Sequence, residues 1–269
     1  MKVGTIMNFV VDVEALNLRS SPDSSHDGNI VGSLFMGQQI GALSDPDANG
    51  WVRCEARVDG VGQSGFVASK HLRAPLSPSR EALVESVHRE WLRFRRGTGV
   101  EHVDPFAGFV GEMWSSIDLP HDGRDVDIPW SAAAISFMVR NAGEAYAGFK
   151  FAAAHSRYVH HAIRAREAED RSVPFWGVRL HEGKPQVGDI VCRGRAENTV
   201  TFEVARSSEF FKSHCDIIMR IDSPGQKVIA IGGNVSHSVG VTTYDLAAGN
   251  LLAPTKRVYA LLRNITDEA

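Results

Sequence analysis

Cysteine is scarce in this 269-residue chain: Cys54, Cys192 and Cys215 are the only three, and they stand apart. Three scattered thiols supply neither a disulfide framework nor a spaced pair of zinc ligands, so no metal is expected. Such sparing use suits a reducing cytoplasm. No uninterrupted apolar run approaches the ~20 residues that cross a bilayer, which excludes a membrane span. Neither sign of charge prevails, since 29 Lys and Arg face 32 Asp and Glu for a net charge of −3. With the signs interspersed there is no footprint for a phosphate backbone, and nucleic acid is not an expected partner. No secretory leader is expected either, because Asp12 and Glu14 arrive before any long apolar stretch or cleavage site.

What the chain does hold is material for a core. Hydrophobic residues make up 43% and charged residues 23%, close to the globular average, which excludes a disordered chain. The length suggests two domains. Up to residue 73 the sequence reads as short strands, Val10–Val13, Ile30–Leu34, Gln39–Leu43, Trp51–Glu55 and Gly65–Val67, between turns rich in Asp, Gly, Pro and Ser. Such spacing suits a small β-barrel. Ala74-Pro-Leu-Ser-Pro-Ser79 then reads as a linker and a helix start. The domains are accordingly expected at residues 1–74 and 79–269.

The second part changes character along its length. Leu83, Val87, Trp91, Leu92 and Phe94 repeat at helical spacing from Arg80 onward. Pro129–Ala142 reads as a helix apolar on all sides, and Phe151–Glu169 as another. After Pro174 the period becomes two. Strands are expected at Gly188–Arg193, Val200–Ala205, His214–Ile221, Val228–Ile231, Val239–Tyr244 and Val258–Leu262. Helices followed by a run of strands indicate an α+β layer with an antiparallel sheet rather than alternating βαβ units.

Ser131 opens the helix that Pro129 introduces and Gly143 ends. There the unpaired N–H groups and the helix dipole favour a developing negative charge. Ala132, Ala133 and Ala134 are small enough for strands to approach closely. A nucleophile in that position suits acyl transfer. His214 begins an apolar strand and Asn234 ends the next one, so Ser131, His214 and Asn234 supply a nucleophile, a base and a group to orient the imidazole. Asp216 shares the face of His214 at a spacing of two, and either orients its ring in place of Asn234 or pairs with Arg193 or Arg195. Cys215 should point away from the His214 ring, and Cys192 reads as a buried core thiol. His155, His160 and His161 share a helix with Tyr158 but lack the i, i+4 spacing of a metal site, and read as a solvated surface. Trp130 reads as core or as a wall of the cleft, and His237 as a cleft or loop residue. Trp51, after the turn dipeptide Asn49-Gly50, either lines a groove or fills the barrel core.

Two resemblances follow from these motifs. Ala15-Leu-Asn-Leu-Arg-Ser-Ser-Pro22, Ile30-Val-Gly-Ser-Leu34, Gly50-Trp51-Val52 and Gly65-Phe66-Val67 occur in the order of the bacterial SH3-like domain, which this segment resembles. The resemblance implies a small barrel that tethers wall hydrolases to peptidoglycan, with Trp51 as a wall-binding residue. Residues 125–245 resemble the papain-like cell-wall amidases and peptidases of the CHAP and NlpC type. Pro129-Trp-Ser-Ala-Ala133, Gly188-Asp-Ile-Val191, His214-Cys-Asp-Ile217 and Gly232-Gly-Asn234 carry it in the family's order. An uncharacterised bacterial domain family shares the Pro-Trp-Ser-Ala-Ala start and the His-Cys-Asp-Ile strand. The resemblance gives Ser131 the nucleophile's place, His214 the base's and Asn234 the orienting group's. It departs from the family in two places: serine stands where the family has cysteine, and Gly232 stands where it has an acid.

The expected activity is therefore hydrolysis of an amide bond in a peptidoglycan peptide, with no cofactor. The alternatives are an inactive relative that binds wall peptide or a protein partner, and an acyltransferase or peptidase acting on proteins. Without a leader, a wall hydrolase needs delivery by phage lysis or a contact-dependent secretion system. A toxin of that kind would meet a small immunity protein plugging its cleft.

Overall fold

The computed structural model describes residues 7–195 and 199–268. The chain divides into two compact units, Met1–Pro78 and Ser79–Ala269. Together they hold two curled antiparallel sheets and, among the described residues, five α-helices.

The first unit is a seven-stranded sheet of β1 (Met7–Val11), β2 (Ala15–Arg19), β3 (Ile30–Phe35), β4 (Gln39–Ala42), β5 (Trp51–Val58), β6 (Val61–Ala68) and β7 (Leu72–Arg73), in the order β3-β2-β6-β5-β4-β1-β7. Alternation decides which side chains meet inside: Leu16, Leu18, Leu34, Ile40, Val52, Cys54 and Val67 form its core. β5 and β6 run longer than the sequence suggests, because Asp59 and Gly60, both left-handed, close a tight hairpin between them.

The second unit begins with α1 (Pro78–Arg93), α2 (Phe106–Ser115), α3 (Ser131–Arg140) and α4 (His155–Glu167). Proline suits the first helical position of α1, and Leu83, Val84, Val87 and Trp91 are all buried along one stripe. β8 (Phe175–Val178) and β9 (Ile190–Gly194) follow, then the short α5 (Phe202–Ser207). The expected strand at Val200–Ala205 is in fact this helix. Thr201 caps it by accepting the Val204 N–H at 3.2 Å, and of its alternating apolar residues Val200 is buried while Val204 is left exposed.

β10 (Ser213–Asp222), β11 (Lys227–Val235), β12 (Ser238–Ala247), β13 (Leu251–Leu252) and β14 (Val258–Asn264) complete an antiparallel sheet ordered β13-β12-β11-β10-β9-β14-β8. Val191, Ile218, Val228, Ala230, Tyr244 and Leu261 pack on one another in one of its cores. α3 lies against β10 and β11, and Gly233 explains how closely: a Cβ there would stand 2.2 Å from that of Ala134. Arg80 of α1 pins the helices to the sheet. Its buried guanidinium donates to the Val187 and Asn264 carbonyls and pairs with Asp189 at 3.2 Å and Asp267 at 2.8 Å. Among the described residues, no helix is long and apolar enough to cross a membrane.

Candidate active site

Ser131 is the first residue of α3 and His155 the first of α4. The two helix starts meet so that Ser131 Oγ lies 2.7 Å from His155 Nε2. The first intrahelical bond of α3 runs from the Ala134 N–H to the Trp130 carbonyl. The N–H groups of Ser131, Ala132 and Ala133 thus lack partners within the helix. Both side chains line a cavity of about 400 Å³, bounded also by Pro129, Ala132, Phe211, Lys212 and Arg195. Ser131 is only 3% exposed, but it faces this space and is not sealed in the core.

His155 corrects the expectation of a solvated histidine. It is buried, and its Nδ1 is hydrogen-bonded to the Tyr158 hydroxyl one turn along α4. If Nε2 accepts the Ser131 proton, Nδ1 carries a hydrogen and donates it to Tyr158. Burial holds the imidazole below its ordinary value of 6.5, an effect that neighbouring His214 reinforces and that Cys215 and Asp216 oppose. His160 instead meets the Ala205 carbonyl, at 2.9 Å, away from this pair.

The expected chain of Ser131, His214 and Asn234 is not assembled, and register explains why. Gly232 faces Asp216, whereas Gly233 faces Ala134 and Trp130 of the α3 start. Asp216, and His214 two residues before it, therefore belong to the sheet face turned away from α3. Cys215 takes the helix side. The His214 ring still comes within 5.3 Å of the His155 ring, centre to centre, but its Nε2 is 3.0 Å from Asp216 Oδ1. The partner of the His214 ring is thus Asp216 and not Asn234. It is fully buried, accepts from the Tyr244 hydroxyl and lies 3.8 Å from Arg193. Burial pushes its carboxyl up, but His214, Tyr244 and Arg193 together bring it below the ordinary carboxylate value. Asn234 adopts a left-handed conformation in the irregular stretch of β11 and makes no hydrogen bond to Ser131 or His214.

Cys215 pairs in register with Cys192, with their sulfurs 3.4 Å apart and both sealed from solvent. Burial raises both thiols. Cys215 nonetheless becomes the more acidic of the two, because its contacts with Cys192, His155 and Tyr158 lower it. Sequence reasoning missed His155 and this thiol environment. The available signal was the His155/Tyr158 spacing of three, which puts both residues on one helix face near Val159 and Ala162.

Trp130 is core. Its ring stacks on Phe94 at 5.6 Å, and its Nε1 donates to the buried Glu101 at 2.6 Å. His237, at the tip of the β11–β12 hairpin, pairs with the other oxygen of Glu101 at 2.9 Å while its own side chain is largely exposed. Trp51 is half-buried at the start of β5. With Leu16, Asn17, Arg19, Lys70 and His71 it lines a cavity of about 560 Å³ in the first unit. Among the described residues, no three His, Cys, Asp or Glu side chains form a cluster able to hold a metal ion.

Fold and site thus define an α+β protein with a serine–histidine pair at two helix starts. The chain belongs to a bacterial protein family, described as uncharacterised proteins conserved in bacteria (DUF2272), whose model matches residues 102–264. Among solved structures, NlpC2 from Trichomonas vaginalis is similar at 12% identity with a TM-score of 0.26, over 96% of this chain and 73% of that one. No curated protein matches the sequence.

Proposed function

We propose that the protein hydrolyses an amide bond in the peptide part of peptidoglycan, with Ser131 as nucleophile and His155 as its base. The observation that carries this reading is the 2.7 Å contact between the hydroxyl and the imidazole at the wall of a cavity. As Ser131 Oγ bonds to the substrate carbonyl carbon, its proton passes to His155 Nε2. The carbonyl oxygen takes the negative charge and is met by the free N–H groups at the start of α3. Collapse of that intermediate expels the amine, which takes the proton back from His155. Water then repeats the sequence on the acyl-serine and releases the acid.

A base must be neutral before it acts, and the lowered value of His155 keeps it so at neutral pH. The His214–Asp216 pair lies beside His155 and biases its charge without touching Ser131. The papain-like order of motifs supports the hydrolase class. The wall substrate is supported by the SH3-like resemblance of the first unit, a small barrel that would hold the enzyme on its polymer through the cavity at Trp51.

The test is digestion of purified sacculi by the wild-type protein and by Ser131→Ala. Release of new amino termini by the wild type alone is the expected result. Equal release by both would remove Ser131 from the reaction, and stoichiometric binding without release by either would make the protein a wall binder.

A further inference from the structure

Two cations stand at the open end of the β9–β10 ladder. Arg195 directly follows β9, Lys212 directly precedes β10, and the Arg195 N–H reaches the Lys212 carbonyl at 3.4 Å. Both line the cavity that Ser131 and His155 face, and no Asp or Glu shares that lining. Several arginines of this unit sit against carboxylates, among them Arg80 on Asp189, Arg93 on Glu112, Arg124 on Asp104 and Arg206 on Glu167, while others, such as Arg140 on the Phe151 ring, do not. Among the described residues, Arg195 and Lys212 have no such ion pair. The two exposed cations thus stand together at the rim of a cavity of mostly small and apolar walls, where an entering anion would meet them.

We infer that Arg195 and Lys212 form a carboxylate-binding subsite, and that the substrate carries a free carboxylate on the residue adjoining the amide that is cut. The inference rests on the reading of Ser131 and His155 as the reacting pair, and it adds the substrate's charge. Guanidinium and ammonium together suit a carboxylate. The planar fork of arginine takes two oxygens, and the lysine adds a mobile point charge. Wall peptides offer two such groups, the α-carboxyl of a γ-linked glutamate and the terminal carboxyl. A cationic subsite therefore selects among their amide bonds by which carboxylate it holds.

Four synthetic pentapeptides, L-Ala-γ-D-Glu-L-Lys-D-Ala-D-Ala, test this, with the glutamate α-carboxyl and the terminal carboxyl each left free or amidated. Binding is measured by calorimetry on Ser131→Ala, and on the same protein carrying Arg195→Gln and Lys212→Gln. One of the two amidations is expected to weaken binding by about tenfold or more, and that discrimination should vanish in the Gln variant. The Gln side chains sit at the surface, so an unchanged circular dichroism melt will show that the fold is intact. Equal binding of all four peptides, no binding of any, or discrimination that survives both Gln substitutions would overturn the subsite. Turnover by the wild-type protein separates the two readings. Cleavage indifferent to amidation removes the subsite and keeps the hydrolase, whereas selective binding without cleavage does the reverse.

Discussion

A Cβ on Gly232 would stand 2.0 Å from Oδ1 of Asp216. The glycine thus makes room for the carboxylate of the neighbouring strand β10, which holds His214 and accepts from Tyr244.

Gly232→Ala should therefore destabilise the protein by about 1–3 kcal/mol through overpacking against a buried group that cannot move aside. Asp216→Ala alone will also destabilise, by leaving His214 and Tyr244 without their acceptor. The double variant should lose less than the sum, because the atom that the new methyl meets is gone. Urea unfolding of the four proteins measures the coupling. Additive losses would place the strain at Gly232 elsewhere, for instance on the Cys215 carbonyl 3.1 Å away.

Much of this was legible in the sequence where punctuation and period agree. Pro129 and Gly143 bracket α3, and its apolar residues surround the axis, so Ser131 is at a buried helix start by local rules alone. β10 and β11 follow from alternation. The partner of Ser131 was not legible in the same way. His155 looks like any residue of a charged helix until α4 is packed against β10 and β8, a long-range event with no local signature. His214 opens an apolar strand, but which face it takes depends on register, and one residue of register exchanges His214 for Cys215. α5 failed for a related reason: Val200, Phe202 and Val204 alternate as in a strand, while the Thr201 cap that decides for helix is a single hydrogen bond.

With His155 as the base of the proposed reaction, its burial should set the acid limb of activity. Its value is held below 6.5, so the rate should stay level on acidification through neutrality and fall only below the ordinary histidine range. Cys215 favours the imidazolium and His214 opposes it. Cys215→Ala should therefore move the limb to lower pH, and His214→Asn should move it higher. Stability follows the same sign. Because the unfolded chain protonates His155 first, acid begins to favour unfolding below about pH 6.5. Profiles of kcat/KM for the three proteins check this, and a limb that no substitution moves would exclude His155 as the titrating base.

Arg80 gives a prediction about the frame and not the chemistry. Arg80→Met leaves Asp189 fully buried without its cation, and removing one partner of such a pair costs about 3–5 kcal/mol. Urea unfolding should show that loss. A change below about 1 kcal/mol would mean that the backbone N–H groups of Gln186 and Asn264, at 2.9 Å each, suffice to hold the carboxylate.

The first unit makes its own prediction. Trp51 lines a cavity beside Arg19, Lys70 and His71, while the core of its sheet is built from other residues. Trp51→Ala should thus leave the fold of the unit intact and weaken pelleting with sacculi. An unchanged pelleted fraction alongside an unchanged melt would make the unit a spacer.

The two imidazoles are separable by kinetics. His155 touches the Ser131 hydroxyl, so His155→Ala should reduce kcat by about 10²–10⁴-fold, the usual worth of a positioned base. Added imidazole should restore part of that rate, since the deletion opens space against the 400 Å³ cavity. His214 reaches Ser131 only through its neighbour, with its ring centre 5.3 Å from that of His155 and its Nε2 committed to Asp216. Its removal should cost less, should not be rescued by imidazole, and should show chiefly as a displaced pH limb. If His214→Ala is the more damaging variant and the one that imidazole rescues, the roles are exchanged: the strand histidine is the base, and the Ser131–His155 contact is a resting arrangement that substrate breaks.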